Sequence, residues 1–206
     1  MNKEGILVVV SGFSGAGKGT LMKTLLQRYD NYALSISATT RTPREGEIDG
    51  KDYFFVNKEK FSDMIQGDLF LEYATYVSHS YGTPKSYVWE QMSLGKDVIL
   101  EIEIQGALKI KEAYPNAVLL FVMPPNANEL KRRLTGRGTE EEDIICARLK
   151  RAAEEADGME QYDYILINDQ IDSCVEKMHQ LIQAQHYRVI HNLGFMQQIK
   201  AELKNM

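Results

Sequence analysis

The chain has 206 residues, 44% of them hydrophobic and 26% charged, with a formal net charge of -5. That length suits one compact domain with a sizeable core and small insertions, and the composition is that of a globular protein, not a disordered one. The acidic balance argues against a broad nucleic-acid-binding surface, which is usually basic, and no run approaches the roughly 18 apolar residues of a membrane span, so neither a nucleic acid nor a membrane is an expected partner.

The first residues, MNKEGILVVVSG, lack the long apolar run of a signal peptide. Cys146 and Cys174 show no metal-ligand spacing and cannot build a disulfide framework. The cytoplasm is the expected compartment. ILVVVS (6–11) is a short β-branched run closed by glycine, the pattern of a strand buried on both faces. GTLMKTLLQRY (19–29) follows with Leu21, Leu25 and Leu26 at helical spacing. Further strands are expected at DVILEIEI (97–104), AVLLFVM (117–123) and DYILIN (163–168), separated by helices starting near Gly106, Asn126, Glu140 and Ile171. This alternation predicts an α/β fold with a doubly wound parallel sheet.

Residues 35–95 break the rhythm. A polar, glycine-rich passage leads into an aromatic strand, a second strand-rich stretch follows, and PKSYVWEQMSLG predicts a helix with Pro84 near its start and Gly95 at its end. This region is expected to form an inserted α+β lobe. A smaller insertion is expected at 132–156, a flexible GRGT followed by a charged helix. The core is then 1–34, 96–131 and 157–206, all within a single domain.

Gly12-x-x-x-x-Gly17-Lys18 lies between the first strand and the first helix, the frame of a phosphate-binding loop. In such a loop, here Gly12, Phe13, Ser14, Gly15, Ala16, Gly17, Lys18, Gly19 and Thr20, backbone N–H groups wrap phosphate oxygens at a positive helix end and the lysine meets the terminal phosphates. The motif points to a nucleoside triphosphate without separating a kinase from a GTPase or a motor. In the insertion, Arg41 and Arg44 stand beside Ser37, Thr39 and Thr40. Two guanidinium forks so close can grip a phosphate monoester, the group that a kinase acceptor would bring. His79, His179, His186 and His191 show neither triad nor metal spacing.

The blocks SGFSGAGKGT, SATTRTPREGEIDGKDYFFV, FLEYATYVSHSYGTPK, LEIEIQGA, LKRRLTGRGTE and YDYILIND, in this order, closely resemble the guanylate kinase family of P-loop nucleoside monophosphate kinases. The resemblance covers nearly the whole chain. It implies ATP + GMP → ADP + GDP with magnesium, a GMP-binding lobe at 35–95 and a lid at 132–156. It implies that the GMP phosphate meets Arg41, Arg44, Tyr53 and Tyr81, and that guanine faces Ser37, Glu72 and Thr83. The lid arginines would be Arg133, Arg137 and Arg148, with Arg137 and Arg148 acting as arginine fingers, and Asn168 would lie near the adenine side. A carboxylate at Glu72 can accept from guanine N1–H and the N2 amino group, where adenine presents a lone pair; a site built that way can reject the wrong base by roughly 10⁴-fold. The chain departs from the family pattern at Phe13, where proline is common, and at Glu103, where aspartate is usual. A scaffold-type binding module of the same fold is the rival reading, as is a kinase for another monophosphate. Lys18, the glycines and the lid arginines speak against the first, and Glu72 with the TTRTPR block against the second.

A phosphate loop usually continues Lys-Ser or Lys-Thr to bind magnesium, but here Gly19 follows Lys18. Thr20 is rotated about 100° further round the helix and raised about 1.5 Å, better placed for the α-phosphate. Magnesium keeps several waters and takes direct ligands from phosphates. Glu101 is expected to hold that water shell, and Glu103, two residues on and on the same face, to look toward the acceptor.

Overall fold

The computed structural model describes residues 4–76, 78–136 and 142–206. Strand β1 (Leu7–Gly12) sits at the centre of the larger sheet and its side chains divide between two cores. Val8 and Val10 enter one cluster, Leu7 and Val9 the other; a strand covered on both faces needs this unbroken apolar run. Helix α1 (Lys18–Arg28) then buries Leu21, Met22 and Leu25 in the first cluster.

The edge strand β2 (Tyr32–Leu34) is too short to register as a periodic pattern in the sequence. The chain then builds β3 (Ala38–Thr39), β4 (Phe54–Phe55), α2 (Lys58–Gln66), β5 (Phe70–Tyr76), β6 (His79–Pro84) and α3 (Lys85–Ser93). Four of these strands form a second sheet, order β4-β3-β6-β5, with its own small core of Ala38, Phe61 and Phe70. Asn57 starts α2 by accepting from the Lys60 N–H at 2.7 Å.

The remaining elements are β7 (Asp97–Glu101), α4 (Ile104–Ala113), β8 (Val118–Met123), α5 (Ala127–Thr135), α6 (Glu142–Ala156), β9 (Tyr164–Ile167), α7 (Ile171–Gln185) and α8 (Leu193–Lys204). The five-stranded sheet has order β2-β7-β1-β8-β9 and all its pairings are parallel. α1 and α7 cover one face, α3 and α4 the other. Ligands of such sheets bind beyond the carboxyl ends of the strands, where Gly12 and Glu101 lie.

Two boundaries differ from the sequence reading, and a third falls outside the described residues. The strand expected over 97–104 stops at Glu101, and Glu103 becomes the N-cap of α4. The helix expected to start near Glu140 is described from Glu142, its expected start lying outside the described residues. The helix that starts at Ile171, as expected, does not continue through the sequence that follows it, which forms the separate α8. It ends at Gln185, where His186 Nε2 comes 2.9 Å from Asp97 Oδ1, and α8 buries none of its residues. Asp97 is 1% exposed and also accepts from the Ile6 N–H and the Gln183 amide, the partners that a buried carboxylate needs.

Candidate active site

The loop after β1 turns through positive φ at Gly12 (151°), Gly15 (87°) and Gly17 (90°). A Cβ at Gly12 would stand 2.0 Å from the Val122 carbonyl oxygen, and one at Gly17 2.6 Å from Asn168 Nδ2. These glycines serve both the turn and the close approach of neighbouring chain. The Lys18 ammonium donates to the carbonyls of Gly12 (2.7 Å) and Phe13 (3.4 Å). Two distant residues hold the Ala16 carbonyl: Asn168 Nδ2 at 2.8 Å and Arg133 at 3.3 Å, while Arg133 also donates to the Asn168 carbonyl at 2.8 Å. Ser14, Gly19 and Thr20 are at the surface, and a Cβ on Gly19 would meet nothing within 4 Å.

Two side chains of this region are buried in the ligand-free protein. The Phe13 ring is buried edge-on against Phe121, centroids 5.1 Å apart. Asn168 is 1% exposed, and its amide is directed at the Ala16 carbonyl. Burial keeps the two-residue period just past the end of β9: Ile167 and Asp169 are exposed and Asn168 is buried. Asp169, which the sequence reading missed, lines an open depression of about 550 Å³ with Asn126, Asn128, Glu129, Arg132 and Arg133. There Glu129 binds both Arg132 and Arg133 at 2.7 Å, and these guanidiniums, Arg132 first, lower its pKa to about 2.

A second cleft, about 170 Å³, opens beside the loop between Gly12, Lys18, Glu101, Glu103, Ile104 and Glu155. Although Glu101 reaches solvent, the crowding walls raise its pKa by desolvation, opposed by Lys18. Glu155 is raised for the same reason, against its bond to Arg151. Arg151, on α6, pairs with Glu103 and with Glu155 at 3.0 Å. This tie between α6 and the cap of α4 escaped the sequence reading, because Arg151 sits in an ordinary charged helical run. Arg148 is half-buried on the same helix, and Arg137 lies outside the described residues.

The second sheet gathers the other candidates. Thr83, fully buried, donates to Glu72 Oε1 at 2.9 Å. Burial raises the Glu72 pKa; the Thr83 bond and Lys109 oppose it. Gly106, in the first turn of α4, lies so close that a Cβ there would be 3.2 Å from Glu72 Oε2. Arg41 donates to Glu47 Oε1 and to the Thr42 carbonyl, both at 2.8 Å, and its guanidinium lies 5.3 Å from the Tyr53 ring centre. Tyr53 and Tyr81 rings are 6.1 Å apart. Arg44 is exposed, its backbone N–H donating to Glu47 Oε2 at 2.7 Å. Ser37 is half-buried, its carbonyl accepting from the Phe54 N–H. Helix α4 joins the two regions: Glu103 caps it in the cleft, and one turn later, about 5 Å along the axis, Gly106 backs Glu72.

Residues 4–185 match the family model for guanylate kinase. The chain belongs to the guanylate kinase family. The guanylate kinase of Caldanaerobacter subterraneus subsp. tengcongensis is 48% identical over 202 residues, 98% of either chain. That of Streptococcus thermophilus is 47% identical over 195 residues, covering 94% of this chain and 93% of the relative. The crystal structure of guanylate kinase from Anaplasma phagocytophilum superposes with a TM-score of 0.77 at 30% identity, over 98% of this chain and 96% of that one. Guanylate kinases phosphorylate GMP to GDP at the expense of ATP, so the acceptor of this kinase is a guanine nucleotide and its donor ATP. No described helix is long and apolar enough to cross a membrane.

Proposed function

We propose that this guanylate kinase divides the transfer of the ATP γ-phosphoryl group to GMP between its two sheets. The loop at Gly12–Thr20 and Lys18 hold the ATP phosphates, and the depression beside Asn126, Arg133 and Asp169 takes adenine. Glu72 and Thr83, with Ser37, read guanine. Arg41 and Arg44 with Tyr53 and Tyr81 hold the GMP phosphate. The observation that carries this reading is the Glu72–Thr83 pair standing one helical turn from Glu103 and the loop-side cleft. A base held by Glu72 would extend its phosphate toward that cleft.

The transfer asks mainly for alignment and charge neutralisation. Lys18 must leave the Gly12 and Phe13 carbonyls to meet phosphate. Arg148 and Arg137 would come from the insertion to stabilise the moving group, and closure over the cleft would keep water out. Magnesium, when bound, would neutralise phosphate charge. Among the described residues no three His, Cys, Asp or Glu side chains form a metal cage, but the chain's residues fit a water-held ion: Glu101 reaches the cleft next to Lys18, where it can hold water, and Gly19 offers no ligand. Glu103 faces the acceptor from the cap of α4. The cytoplasm, which holds ATP and GMP together, is the compartment that goes with this activity.

A coupled assay with ATP and a panel of GMP, dGMP, AMP, UMP and CMP tests the reading. ADP formation with the guanine nucleotides alone is expected. Turnover of AMP at a comparable rate would overturn the assigned base reader, and binding of GMP without ADP formation would make the fold a binding module.

A further inference from the structure

We propose that Glu47 is the positioning residue of the acceptor-phosphate site: one carboxylate sets both arginines in place. The inference rests on the reading that Arg41 and Arg44 hold the GMP phosphate. Oε1 accepts from the Arg41 guanidinium at 2.8 Å and Oε2 from the Arg44 backbone N–H at 2.7 Å. The Glu47 N–H returns a bond to the Arg44 carbonyl at 3.1 Å, closing a four-residue turn. Gly46 supplies the left-handed third position of that turn at φ 86°. The turn and the carboxylate therefore act on the same two residues.

The environment of Arg41 shows what this achieves. Its side chain is only 11% exposed, flanked by the rings of Tyr53 and Phe55 at 5.3 and 5.8 Å. Glu47 takes one guanidinium nitrogen (Nη2) and the Thr42 carbonyl another (Nη1). A guanidinium has five N–H donors, so these two bonds orient the fork and leave further donors for an incoming phosphate. A long, rotatable side chain is thereby ordered before the ligand arrives, which lowers the entropy cost of binding. The carboxylate also opposes the approaching dianion, so organisation and repulsion pull in opposite directions. The bonds to Arg41 and Arg44 are charge-assisted, the stronger class of hydrogen bond, and ordering is the effect that dominates.

The test compares Glu47→Gln, Glu47→Asp and Arg41→Lys in steady-state kinetics with GMP and ATP. Guanosine, which shares the base but lacks the phosphate, serves as a competitive inhibitor. For Glu47→Gln, whose amide nitrogen cannot accept from Arg44, the KM for GMP is expected to rise roughly ten-fold. Its KM for ATP and its inhibition by guanosine should stay at wild-type values. Glu47→Asp keeps the charge but is a methylene shorter, and should fall between. A Glu47→Gln enzyme that loses guanosine and GMP affinity together would make Glu47 a structural brace of the lobe and overturn the proposal. An unchanged or lowered KM for GMP, with Arg41→Lys raised, would overturn it by showing that repulsion dominates. If Arg41→Lys left GMP untouched, the phosphate-site reading would fall first and the inference with it.

Discussion

Thr83 donates its hydroxyl hydrogen to Glu72 Oε1, and Gly106 backs the other oxygen of the same carboxylate. The carboxylate proposed to read guanine is thus oriented from two sides. Glu72→Gln removes one acceptor and sets an amide donor against a guanine donor. We expect kcat/KM for GMP to fall on the order of 10²-fold with ATP binding retained, measured by kinetics and by titration with a non-hydrolysable ATP analogue. Wild-type kcat/KM would remove Glu72 from the base site.

Burial raises the Glu72 pKa, and the sign of the pH effect follows. Reading guanine needs the ionised form, so GMP affinity should weaken as pH falls, beginning at a higher pH than for an ordinary carboxylate. In the ligand-free protein the folded state holds this proton more tightly than the unfolded chain. The contribution of Glu72 to stability therefore falls as pH rises from the usual carboxylate range through the raised value. GMP affinity against pH for wild type and Glu72→Gln checks this; the mutant should lose the acid-side slope.

Gly106→Ala separates stability from recognition. Alanine favours a helix over glycine by about 1 kcal/mol, but its methyl would crowd Glu72 Oε2 at 3.2 Å and Ile102 at 3.3 Å. The expected enzyme melts no lower than wild type yet shows a several-fold higher KM for GMP, with the KM for ATP unchanged. An unaltered GMP response would mean that the carboxylate shifts without cost.

Glu101→Gln should raise the magnesium concentration needed for half-maximal rate, because a neutral amide holds the ion's water shell less well. Gly19→Ser meets open space and restores the hydroxyl usual at that position, so it should lower the magnesium requirement or leave it alone. A magnesium titration of both variants is the measurement, and an unmoved midpoint in Glu101→Gln would exclude the water-held role.

The Arg151–Glu103 pair ties α6 to the cap of α4 in the ligand-free protein. Both side chains are substantially exposed, so the pair is worth at most about 1 kcal/mol and is screened by salt. Arg151→Gln should speed amide exchange in 142–156 without nucleotides at low salt, and the difference should shrink at high salt. Equal exchange at low salt would show that the pair does not hold the helix.

The parallel sheet and the phosphate loop were legible in the sequence because each has a local signature: β-branched runs such as Val8–Val10, and glycines at fixed spacing before Lys18. What escaped depends on partners far along the chain. The amide of Asn168 finds its partner in the Ala16 carbonyl, 152 residues away. Arg151 gains meaning from Glu103, and Glu47 looked like one more polar residue until its two oxygens were seen to be shared between neighbouring arginines. Helix ends erred similarly: Gln185 ends α7 where His186 meets Asp97, a contact with no mark in the local pattern.

The double hold on the Ala16 carbonyl has a consequence for synthesis of the chain. The glycine loop is among the first segments to leave a ribosome, but the amide that steadies it belongs to Asn168 and the guanidinium to Arg133. A nascent chain arrested before Tyr164 would carry every glycine of the loop and lack the last strand that seats its back wall. If the loop holds ATP as proposed, the bonds that steady its Ala16 carbonyl are completed only after Asn168 has been made.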